Sequence, residues 1–153
     1  MVQIAKARGA QVTAVASARN HAFLQAQGAD VAIDYTTTDL RRLSKPFDVI
    51  ADCPGKMPYA THRHLLKKGG RFAMVTGTMA EALMTPLINL IRPHRIIGGT
   101  SLATKDGLAD ILDLHAAGQI SPVIDSSYPL ANIAEAHAHV DKGHKRGNTV
   151  ITF

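Results

Sequence analysis

The sequence predicts a doubly wound α/β domain on a parallel sheet, and three observations carry that prediction. Over residues 11–35 (QVTAVASARNHAFLQAQGADVAIDY) a strand-length apolar run, an amphipathic helical stretch and a second apolar run follow one another within one βαβ unit. Apolar runs at 47–53 (FDVIADC) and 70–76 (GRFAMVT) are short enough for buried parallel strands and alternate with helix-length segments. Gly9, Gly28, Gly69 and Gly118 stand just after helical stretches, where a left-handed residue closes a helix.

The elements follow in order. Residues 1–8 read as helical turns ended by Gly9, and 11–17 as a strand. A helix near 21–27 turns Phe23 and Leu24 to the core and stops at Gly28, and 31–34 is the next strand. Residues 36–43 read as a short helix capped by Thr37 or Thr38 and ended before Pro46. The strand at 47–53 places Cys53 as a small buried hydrophobe and turns at Pro54-Gly55. A helix over 59–68 puts Lys67 and Lys68 near its negative end, with Gly69 beyond, and 70–76 gives another strand.

Residues 79–91 carry Leu83, Met84, Leu87, Ile88 and Ile91 at helical spacing, with Pro86 starting or kinking that helix. RIIGGTS at 95–101 is the last strand of the sheet, with an apolar edge open to pairing. Thr104 caps a helix with Leu108, Ile111 and Leu112 on one face. From 119 the chain reads as an extended stretch, a helix with Asn132 and Glu135 at capping-box spacing, and a final strand at 148–153.

The 153 residues suffice for one ordinary core, and 46% hydrophobic content fits a globular protein. No apolar run reaches the roughly 18 residues of a membrane span. The N-terminus lacks signal-peptide patterning, so a cytoplasmic protein is expected. One cysteine excludes an internal disulfide. The net charge of +5 suits anionic partners, but scattered basic residues and 5% aromatics argue against nucleic acid. Eight histidines form no HExxH and no Cys/His quartet, so no metal site is expected. Asp48, Asp52 and Asp125 are not placed as an acid/base pair, and no activated nucleophile stands out, so no catalytic residue is assigned.

The run VQIAKARGAQVTAVAS with SARN, then LQAQGADVAIDY, FDVIADCPG, LKKGGRFAMVTG and the tail AGQISPVIDSSYPLANIAEAHAHVDKGHKRGNTVI resembles the nucleotide-binding half of medium-chain dehydrogenases and reductases. It is most similar to their zinc-free NADPH:quinone reductase branch. The resemblance implies a Rossmann-like domain over 1–118 and a tail, 119–153, that packs on a separate catalytic domain. It also implies a first strand and a glycine-rich turn that this sequence lacks, so the backbone amides that would hold a pyrophosphate are missing. That strand is central in the order 3-2-1-4-5-6, so its loss leaves a gap between the strands ending near Ser17 and Cys53. Direct pairing of those strands, or a strand or helix from another chain, is expected to fill it.

Ligands of open parallel sheets bind at the carboxyl ends of strands, which singles out the turn at 17–20. An NAD-preferring site places an acid there and an NADP site an Arg; the turn has Ser17, Arg19 and Asn20, with no acid before Asp30. By resemblance these three residues contact the 2′-phosphate of NADPH, Tyr35 packs beside it, and Thr76, Gly77 and Thr100 meet the nicotinamide half. Capping by Ser17 or Asn20 with a solvated Arg19 is the competing reading. His144 and Arg146 are candidates to approach the same phosphate from the tail. The expected function is the cofactor-binding part of an NADPH-dependent oxidoreductase, a quinone or enone reductase or an alcohol dehydrogenase-like enzyme, with a quinone or carbonyl substrate and a homodimer joined through the last strand. The alternative is a non-catalytic Rossmann-like fragment or dimerising interaction module.

Overall fold

The computed structural model describes residues 1–76, 79–91, 93–98, 104–143 and 145–153, with side chains of the segment 79–91 described at 83 and 85–91. Every strand ladder is parallel and helices alternate with strands, the Rossmann-like α/β arrangement that the residue pattern implies. The chain divides into two compact units, residues 1–34 with 104–153, and residues 35–103.

In the first unit, α1 (Val2–Ala7) ends in a left-handed Gly9 (φ 76°): its N–H donates to the Lys6 carbonyl at 2.8 Å and the Ala10 N–H to the Ala5 carbonyl at 3.0 Å. β1 (Thr13–Ala16) is followed by a 3₁₀ turn (Ala18–Asn20), α2 (His21–Ala26) and β2 (Val31–Asp34). α2 closes in the same way on Gly28 (φ 99°), where an added Cβ would also meet Lys6 Cγ at 2.9 Å. β1 and β2 pair in register from Thr13↔Val31 to Ala16↔Asp34. Thr104 caps α5 (Lys105–Ala116) by accepting the Gly107 N–H. The face with Leu108, Ile111 and Leu112, expected to be buried, is exposed.

β6 (Ile124–Pro129) and β7 (Asn148–Thr152), on either side of α6 (Ile133–Asp141), pair with each other. At the start of α6 the expected capping box is replaced by a bond between the two side chains, from Asn132 Nδ2 to Glu135 Oε2 at 3.2 Å, with no side-chain cap on the backbone. Gln3 fastens α1 to the tail, accepting the Ser121 N–H and donating to its carbonyl, and its amide also meets Gln27.

The second unit has the order β3-β4-β5, with β3 (Phe47–Asp52), β4 (Leu66–Met74) and β5 (Arg95–Ile97). Its core is Ile50, Leu65, Leu66, Phe72 and Ile96, each worth about 1.5–3 kcal/mol when withdrawn from water. α4 (Met79–Ile91) contains Pro86 and sends Ile88 onto this core, whereas Leu83, Leu87 and Ile91 are exposed.

Four local expectations change here. The helix over 36–43 is only a 3₁₀ turn (Leu40–Arg42), because Asp39 takes the Arg41 N–H and guanidinium and caps at that point. The helix over 59–68 ends early, as α3 (Tyr59–His62) and a 3₁₀ turn, because residues from Leu66 join the ladder to Phe47. Lys67 therefore pairs with Asp48 at 2.9 Å instead of ending a helix, and Gly70 lies where a Cβ would meet the Lys67 carbonyl at 2.8 Å. Cys53 is exposed, because it falls in the turn just beyond β3.

The fourth change concerns strand edges. β1 pairs only with β2 and β3 only with β4 among the described residues, so direct β1–β3 pairing is not part of the sheets. The edge of β5 is closed at Ile96, whose N–H and carbonyl both bond the Asn89 side chain, at 2.6 and 2.9 Å.

Candidate functional site

The turn at 17–20 is positioned by the carboxyl end of β1. Asp34, at the end of the paired strand β2, reaches back to accept the Ala18 N–H at 3.2 Å. His21 adds a bond from its ring to the Ala16 carbonyl at 3.1 Å. Neither Ser17 nor Asn20 caps a helix through its side chain. Instead, Asn20 Oδ1 accepts Arg146 Nε–H at 3.1 Å, and the Arg19 carbonyl accepts Arg146 Nη2–H at 2.9 Å. The tail thus meets the turn through the Asn20 side chain and the Arg19 backbone carbonyl.

Arg146 is anchored from behind. Its backbone N–H donates to Asp125 Oδ1 at 3.0 Å, and Asp125 Oδ2 meets His139 Nε2 at 2.7 Å. The Arg146 N–H, the His139 bond and the nearby Lys145 charge hold the Asp125 carboxyl below its usual range against some desolvation. Asp125 is therefore engaged in holding the tail and is not half of an acid/base pair.

The other carboxylates have similar duties. Asp30 accepts from Lys6 Nζ at 2.9 Å and from the Val12 N–H at 2.7 Å, which keep its pKa low. Buried Asp52 accepts the Lys56 and Met57 N–H groups and shapes the turn after β3. Local partners also hold six histidines: His21, His62, His64, His94, His115 and His139. Among the described residues no three His, Cys, Asp or Glu side chains converge as metal ligands, and no helix is long and apolar enough to cross a membrane.

The remaining expected site residues belong to the second unit. Tyr35 is exposed, at the edge of an open depression of about 460 Å³ whose lining also includes Thr38, Asp39, Arg41 and His62. Thr76 donates its hydroxyl to the Cys53 carbonyl at 3.0 Å, tying together the ends of β4 and β3. Gly55 packs there, since a Cβ on it would lie 2.9 Å from Thr76 Oγ1. Gly77, Thr100 and His144 lie outside the described residues. Ser17, Arg19 and Asn20 share one turn, at which Arg146 meets the Asn20 side chain and the Arg19 backbone, and Thr76 is half of a strand-end junction. Asp34 and Asp125 were not legible as site supports, although an acid at a strand end is a signal that would have singled out Asp34.

Comparison with known proteins gives the chain its relatives. A family model described as zinc-binding dehydrogenase matches residues 27–151. A mitochondrial NAD(P)H oxidoreductase of Bos taurus is 31% identical over 98% of this chain and 43% of its own length. A chloroplast envelope quinone oxidoreductase homolog of Arabidopsis thaliana is 28% identical over 98% of this chain and 47% of its own. The solved quinone oxidoreductase from Coxiella burnetii superposes with TM-score 0.82 at 28% identity, over 99% of this chain and 48% of that one. A solved NAD-dependent alcohol dehydrogenase gives TM-score 0.78 at 29% identity, over 99% and 46%. The chain spans about half the length of the curated relatives it matches. With the family model covering most of its length, the chain belongs to the zinc-binding dehydrogenase family of the medium-chain dehydrogenase/reductase superfamily, as a quinone reductase-like C-terminal half.

Proposed function

We propose that the chain is the cofactor-binding part of an NADPH-dependent oxidoreductase that reduces a quinone or an enone, or acts as an alcohol dehydrogenase-like enzyme. The single observation that carries this reading is the turn at 17–20: its polar side chains are not consumed by capping, and a guanidinium from the tail is fixed on it. A site for the 2′-phosphate requires such cationic donors at the end of a strand. In this proposal Ser17, Arg19 and Asn20 hold the phosphate, Tyr35 packs beside it, and Thr76, Gly77 and Thr100 bind the nicotinamide half. When bound, the nicotinamide supplies the hydride; the chain's residues bind and orient it.

The relatives named as quinone and NAD(P)H oxidoreductases support the reaction class. Zinc-free chemistry belongs to the proposal, supported by the local bonds that occupy the histidines. So do a cytoplasmic location, a tail at 119–153 that packs on a catalytic domain, and a homodimer. A dimer joined through β5 would have to displace the Asn89 side chain from Ile96, and sedimentation showing only monomer at high concentration would remove it from the proposal.

Calorimetric titration of the chain with NADPH and, separately, NADH tests the reading. Tighter binding of NADPH is expected, and equal or absent binding would defeat it. A second reading, a non-catalytic interaction module, is favoured by the exposed apolar face of α5. Absent cofactor binding would make it the leading account.

A further inference from the structure

We propose that the start of β4, with Arg95 beside it, forms a binding site for a compact multivalent oxyanion of the phosphate or pyrophosphate class. The inference goes beyond the NADPH reading and does not rest on it. Ligands of parallel sheets bind at the carboxyl ends of strands, where Cys53 and Thr76 meet, whereas this site lies at the amino end of β3. Between the registered pairs Phe47↔Leu66 and Val49↔Arg71, β3 advances two residues and β4 five. The excess is a bulge, a device that re-aims side chains. Two glycines shape it: Gly69 is left-handed (φ 78°) and donates its N–H to the Pro93 carbonyl at 3.1 Å, and Gly70 leaves no room for a Cβ beside the Lys67 carbonyl. The result is a depression of about 290 Å³ lined by Asp48, Lys67, Lys68, Gly69, Gly70 and Arg71. That is the scale of a small anion, at the lower limit of the roughly 300–1,000 Å³ of ligand pockets.

The charges around it are unbalanced. Residues 35–103 carry ten Lys and Arg against four Asp and Glu, whereas the rest of the chain carries seven against eight. Lys67 is matched by Asp48, but no ion pair among the described residues involves Lys68, Arg71 or Arg95. Arg71 and Arg95 are registered partners on neighbouring strands, which lie about 4.8 Å apart. Both are exposed, while Phe72 and Ile96 in the next row are buried, so the two arginines share the outer face of the sheet. Like charges directly opposite each other destabilise a sheet. A bound oxyanion reverses that sign, because each guanidinium offers it a fork of N–H donors. Asp48 is the opposing charge and disfavours an anion on its own side, which leaves the anion with Lys68, Arg71 and Arg95.

The test is calorimetric titration of the full chain with sodium pyrophosphate against a chloride background of constant ionic strength, with amide NMR to locate the ligand. Saturable binding is expected, with shifts concentrated at residues 67–71 and 95. Arg71→Gln is expected to weaken it about tenfold, as is Arg95→Gln, with circular dichroism establishing that each variant folds. No binding by the wild-type chain, affinity retained within about twofold in both variants, or shifts confined to residues 17–20 overturns the inference. None of those results bears on whether NADPH is preferred to NADH. Should the arginine variants fail to fold, Lys68→Gln decides: weakened pyrophosphate binding sustains the site, and unchanged binding overturns it.

Discussion

The two units of the chain are held by different physics. In the unit of residues 35–103 a cluster of large apolar side chains is buried, with Phe72 at 1% and Leu65 at 2% exposure and Tyr59 meeting Phe72 edge to face at 5.6 Å, beside the buried polar residues Asp52, His62 and Thr85. In the unit of residues 1–34 and 104–153 the buried residues are Ala14, Ala29 and Ala136, and the cross-links are polar: Lys6 to Asp30, Gln3 to Ser121, Arg146 to Asn20. Burial of large side chains supplies stability that salt and pH barely touch, whereas exposed polar links are directional and screened. The candidate phosphate turn sits in the unit cross-linked by these polar contacts.

Substitutions sharpen that contrast. Phe72→Ala removes the largest buried ring and is expected to cost about 3–5 kcal/mol in urea denaturation. A loss under about 1 kcal/mol would break the comparison by showing that the apolar cluster is not what holds its unit. In the polar unit the largest expected effect is conformational: Gly28→Ala forces a side chain into a left-handed backbone and should cost about 1–2 kcal/mol in the same assay. Asp30→Asn weakens the link to Lys6 and should cost less than either, read as a small drop in Tm that shrinks further in high salt.

The smallest effect is in pH. Asp39, with its carboxyl lowered from 3.8 to about 2 chiefly by the hydrogen bond from the Arg41 side chain and then by the Arg41 N–H, favours the folded state above its unfolded pKa. That contribution is lost as pH falls from about 4 through about 2. Carboxyl NMR titration should give a midpoint near 2 for Asp39, and a midpoint at or above 3.8 would contradict its bonding to Arg41.

How much of this was legible in the sequence depended on the range of the interactions. Gly9, Gly28 and Gly118 marked helix ends because a left-handed residue there is a local necessity, and residues 31–34 formed the expected strand. Thr104 was legible as a cap for the same reason. Lys67 and Lys68 looked like a helix end, yet pairing with β3 drew the chain into a strand from Leu66, a contact that no local pattern encodes. The apolar faces of α4 and α5 had clear helical spacing, but periodicity says which residues share a face, not whether anything covers it. The turn at 17–20 was recognisable by its lack of acids within the turn. The Asp34 bond and the grip of Arg146 on Asn20 join segments distant in sequence and needed the folded chain.

The central claim, carried by the proposed function, is that the turn at 17–20 receives the phosphate that distinguishes NADPH. Amide NMR of the chain with NADPH added, and again with NADH, tests its location directly. The account predicts NADPH-specific shifts concentrated at Ser17, Ala18, Arg19, Asn20 and Arg146. Shifts identical for the two cofactors, or confined to residues 35–103, would contradict it.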